Sequence, residues 1–165
     1  MMESAPDPMP AARAVGTLLA PVVACLRGDD EAVGVLLDGA CEEGSVASAV
    51  RAAPAVVRVY LRLAPPPDGA DHILTGYGSG ALDRFHDREI VTLGAECLEV
   101  ARVDPALAPI AEAVFLDSAL DHGHRCALVG VVASCWWCAR MSADLRGADP
   151  VEEAAAICRY LARVA

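Results

Sequence analysis

The stretch CALVGVVASCWWCA, residues 126–139, holds both tryptophans and three of the seven cysteines, and no acidic or basic side chain interrupts it. A helix that is apolar around its whole circumference has to be enclosed, by other helices or by a partner. A run of 14 residues is shorter than the roughly 20 a helix needs to cross a bilayer. The stretch therefore predicts the central rod of a helical bundle, inside a helix over 124–146. If neighbouring helices leave part of that rod uncovered, a two-fold dimer interface is the natural cover.

Working outward, Asp121-His122-Gly123 separates this helix from one over 105–121. Asp104-Pro105 and Asp149-Pro150 each pair an Asp N-cap with proline at the first helical position. Asp149 with Glu152 also fits a capping box for a last helix. A helix over 83–103 carries Ile90, Leu93, Cys97 and Ala101 at helical spacing. Upstream, residues 1–9 are Pro-rich and read as a loose start. Helix one covers 10–27, kinked or split at Pro21. Gly28-Asp29-Asp30 opens a second helix to about Glu43, and Gly44-Ser45 stops it and caps a short one to Ala53. Pro54 suits the first turn of the next, ending by Ala64. Pattern reading thus predicts an all-α, single-domain bundle of about eight helices, in two halves joined by the Pro/Gly-rich loop 65–80.

Length and composition agree with that class. A chain of 165 residues can bury roughly 70% of the surface its unfolded form exposes, so the core needs no disulfide or metal. There are 33 Ala and 13 Arg but no Lys, Asn or Gln, a bias that follows GC-rich codons and favours helix. Seven cysteines lack the spacing of a secreted disulfide scaffold and fit a reducing cytoplasm. Val22-Val23-Ala24-Cys25 loosely matches a lipoprotein cleavage box, but Glu3 and Asp7 precede it where an export signal carries positive charge. A net charge of −10 with scattered arginines argues against nucleic acid and membrane as partners and suits a basic one.

Four groups of residues could carry chemistry. Cys135-Trp136-Trp137-Cys138 is a C-x-x-C, whose thiols would exchange disulfides if one were activated. The pattern resembles the all-α AhpD-type peroxidase-like family, which places its C-x-x-C on a helix. That family's His four residues beyond the second cysteine falls on Ser142, and its acid twelve residues ahead of the first falls on Gly123, so its proton relay does not carry over. Structural thiols are the alternative.

Asp117, Asp121 and His124 could hold Fe, Mn or Zn around an open position that activates water, with the first two one turn apart. As caps and turn residues they would need no metal. His86-Asp87 resembles the HD-type metal-dependent phosphohydrolases, also all-helical. The resemblance implies a metal at His86 and Asp87, completed by an upstream His and a distant acid such as Asp117 or Asp121. Finally, Thr75-Gly76-Tyr77-Gly78-Ser79-Gly80 precedes Arg84 and Arg88, an arrangement able to receive an anion, with Tyr77 available for contact. It lacks a Walker lysine and a dinucleotide fingerprint, and otherwise reads as a linker.

These observations predict a cytoplasmic, non-catalytic regulatory or adaptor module that acts on a protein partner or on itself, with no cofactor. The alternatives are an HD-like hydrolase using His86, Asp87, Asp117, Asp121 and His124, and a thiol redox protein using Cys135 and Cys138.

Overall fold

A computed structural model describes residues 8–65 and 88–164, with side chains from Ala12 to Arg163. Its described residues form seven α-helices and no strand: α1 Pro8–Leu26, α2 Asp30–Glu43, α3 Val46–Leu63, α4 Arg88–Ala101, α5 Ala108–Asp121, α6 His124–Arg146 and α7 Pro150–Val164. The all-α bundle holds, with seven helices among the described residues where eight were expected. The 65–80 loop, apart from Pro65, and the segment 83–87 lie outside them.

The difference in number has one source. Val46–Leu63 is a single helix that runs through Pro54, where a break was expected. An interior proline costs about 3 kcal/mol because it removes a backbone donor and crowds the preceding turn. Against that, Val46, Ala49, Val50, Ala53, Val56, Val57 and Tyr60 form one unbroken inner face, all buried. Each buried valine contributes about 1.5–3 kcal/mol, so keeping the face continuous outweighs the lost bond. Pro21 is likewise contained within α1. Ser45 precedes α3 without capping it; its hydroxyl donates back to the Ala40 carbonyl at 3.2 Å.

A second boundary moves for a similar reason. The Asp104-Pro105 pair does not start α5, which begins at Ala108. A helix from 105 would place Pro109 where it has no N–H for the Pro105 carbonyl and where its ring collides with that carbonyl. Starting at Ala108 puts Pro109 in the first turn, where proline is tolerated. Asp104 instead closes a turn, its carboxylate accepting from the Ala106 N–H at 2.9 Å. Asp149 does cap α7, accepting from Val151 at 2.9 Å and Glu152 at 3.3 Å.

The rod α6 spans the predicted residues and touches all six other helices. From Gly130 to Ala139 every residue is buried. Although α6 is long and apolar enough to cross a membrane, 78% of its most apolar stretch is covered by the chain itself. Within the stretch 126–139, only Cys126 and Val129 are partly uncovered. Glycines let α4 come close to α6: a Cβ on Gly94 would lie 2.5 Å from the Trp137 ring, and one on Gly130 would lie 2.6 Å from Leu93 Cβ. Arg58 of α3 ties the bundle laterally, donating to the Ala101 carbonyl at 3.2 Å and to Glu112 at 3.3 Å.

Candidate functional site

Cys135 and Cys138 lie at the middle of the enclosed rod, with no exposed surface, and Cys97 of α4 joins them in the core. Their environment works against thiolate chemistry. Burial is the largest cause and pushes Cys97 up to about 12, with Ser134 acting weakly the other way by hydrogen bonding. Burial also lifts Cys135 and Cys138, and the neighbouring thiols add to it. A nucleophilic cysteine needs the reverse, an electropositive and reachable setting. None of the seven cysteines is in a disulfide among the described residues. This arrangement packs the C-x-x-C as small core side chains beside the buried rings of Trp136 and Trp137.

The acidic and imidazole candidates are arranged differently. Asp117, Asp121 and His124 are exposed around the α5–α6 joint. Among the described residues, no group of three or more His, Cys, Asp or Glu side chains is placed to hold a metal ion. The chain's other histidine at this joint has a structural part: the His122 imidazole meets the Glu89 carboxylate and links the joint to α4. Arg125 pairs with Asp38 of α2. His86, Asp87, Tyr77 and Arg84 lie outside the described residues, and Arg88 is exposed at the start of α4.

Two surfaces emerge that the linear pattern does not indicate. At α5, the N-cap residue Leu107 and the helix residues Ile110 and Val114 project outward at one-turn spacing, 57%, 67% and 64% exposed. The opposite face of the same helix is also apolar, with Phe115 and Ala119 buried. A helix apolar on two faces gives no clear amphipathic period, which conceals the outer stripe in the sequence. The helix carries Glu112, Asp117 and Asp121 and no basic residue.

The other surface is a groove of about 960 Å³ between the end of α3 and α7, with Val59, Leu63, Ile157 and Tyr160 among its lining residues. Arg146 and Glu153 face each other there and form an ion pair. The Glu153 side chain is only 8% exposed. Its second oxygen, Oε1, is buried without a hydrogen-bond partner among the described residues. The two partners are seven residues apart across a left-handed Gly147 turn, so no helical spacing advertises the pair.

The chain matches no protein-family model, and neither curated proteins nor solved structures show a significant similarity to it.

Proposed function

We propose that this chain acts by binding another protein through α5, as a non-catalytic regulatory or adaptor module. One observation carries the reading: the outward stripe Leu107, Ile110 and Val114, three aliphatic side chains on successive turns, each more than half exposed. Single exposed aliphatics are ordinary on protein surfaces, whereas contiguous ones favour a contact role. On the same helix the charged groups beside the stripe are acidic, with Asp117 and Asp121 exposed. A second copy packed helix to helix would set carboxylates against carboxylates, which is unfavourable. A partner helix with an apolar face and basic flanks complements the surface in both shape and charge. The overall charge of −10 would speed encounter with such a basic partner. The reading takes a reducing cytoplasm as its setting, in keeping with seven cysteines that form no disulfide among the described residues.

The test is a variant carrying Leu107→Ser, Ile110→Ser and Val114→Ser. These side chains contribute little to the core, so the fold and cellular abundance are expected to persist. The cellular role, scored against deletion of the chain, is expected to be lost. Full function at normal abundance would overturn the proposal.

A further inference from the structure

The groove between α3 and α7 shares no residue with the α5 stripe and has the makings of a separate small-ligand site. Its volume of about 960 Å³ falls within the range of pockets that hold small molecules, roughly 300–1,000 Å³. Two kinds of observation define its chemistry. The first is charge balance: Arg62, Arg146 and Arg159 line it together with Asp149, Glu152 and Glu153. In a chain with net charge −10, this lining is neutral by comparison. A purely anionic or purely cationic ligand would meet repulsion from half of these groups.

The second is unspent bonding capacity. Glu153 Oε1 is a buried acceptor with no donor among the described residues, although buried carboxylate oxygens are normally satisfied. Rotation about the last torsion of a glutamate is soft and two-fold, so the carboxylate can turn an oxygen toward the groove it lines. Arg146 already holds one oxygen. Arg62 and Arg159 have no ion pair among the described residues, which leaves two guanidinium groups for a carboxylate.

We infer that this groove binds a short apolar peptide, or an apolar zwitterion of similar length, with its ammonium at Glu153 and its carboxylate at Arg62 and Arg159. The spacing sets the length. Glu153 and Arg159 are six residues apart on one helix, about 9 Å along its axis. An extended peptide covers about 3.3–3.6 Å per residue, so a tripeptide spans the distance. Val59, Leu63 and Ile157 give its side chains an apolar bed.

Calorimetric titration of the full chain with the tripeptide Leu-Ala-Leu tests this, beside the same peptide N-acetylated and the same peptide C-amidated. The free peptide is expected to bind, and each blocked form to bind at least tenfold more weakly. Glu153→Gln should erase the difference between free and acetylated peptide. Arg62→Ala combined with Arg159→Ala should erase the difference between carboxylate and amide, and Ala156→Phe, at an exposed position lining the groove, should abolish binding. The last two variants lie outside the core, so circular dichroism is expected to report an unchanged fold. No binding of the free peptide at millimolar concentration, or equal binding of all three peptides to the unaltered chain, would overturn the inference. Neither outcome bears on the α5 proposal.

Discussion

Gly94 shows how single residues decide the packing of this bundle. A methyl group there would meet two ring atoms of Trp137 at 2.5 and 2.8 Å, and that ring is itself fully enclosed. Gly94→Ala is therefore expected to cost about 1–3 kcal/mol, the usual range for overpacking. Urea unfolding followed by tryptophan fluorescence measures it; an unchanged midpoint would show that α4 and α6 are not held this closely. By contrast, a methyl group on Gly39 would have nothing within 4 Å of it, so Gly39→Ala serves as the control.

The core thiols make a second prediction at the same scale. Cys97 keeps its proton to about pH 12 in the folded chain, against an ordinary value of 9.0, and Cys135 and Cys138 shift the same way. Above pH 9 the unfolded chain releases protons that the folded chain retains, so stability must fall as pH rises. Below that pH the three thiols are neutral in both states and exert no pull. By pH 10 the loss is about 1.4 kcal/mol per thiol, and Tyr60, raised by the same burial, adds to it at higher pH. Urea midpoints at pH 8 and pH 10 give the comparison; equal values would mean that water reaches these thiols.

At the scale of elements, the two Asp-Pro pairs separate what is legible in the sequence from what is not. Both have the local chemistry of a helix start. Asp149 meets a chain free to continue as a helix and caps α7, whereas Asp104 is followed by Pro109, which defers α5 to Ala108. Asp149→Ala is expected to cost about 1 kcal/mol, the usual loss of a cap. Asp104→Ala, which opens only a turn, should cost less. Thermal melts of the two variants test the order, and the reverse order would contradict this assignment of caps. The rod α6 is readable because its apolar run is long and uninterrupted. The continuity of α3 is not, since Pro54 carries a strong local stop signal and only the tertiary burial of Val50, Ala53 and Val57 overrides it. The outer stripe of α5 is hidden by the apolar inner face of the same helix. The groove is hidden because Arg146 and Glu153 belong to different helices.

At the scale of the whole molecule, the chain separates an inert interior from an informative surface. Its most conspicuous sequence features, the C-x-x-C and the paired tryptophans, are buried on a helix that all six others touch. Among the described residues, the large exposed apolar groups lie at α5 and around the α3–α7 groove, with Val35 and Leu36 on α2 and Leu145 on α6 besides. It is on this arrangement that the proposed binding role of the α5 face rests.

A photo-crosslinking amino acid placed at Ile110, with one at exposed Arg140 as the control, tests that claim most directly in living cells. The account predicts one discrete heteromeric adduct at Ile110 that is absent at Arg140 and disappears with Leu107→Ser and Val114→Ser. A ladder shared by both positions, or no adduct at Ile110, would contradict it.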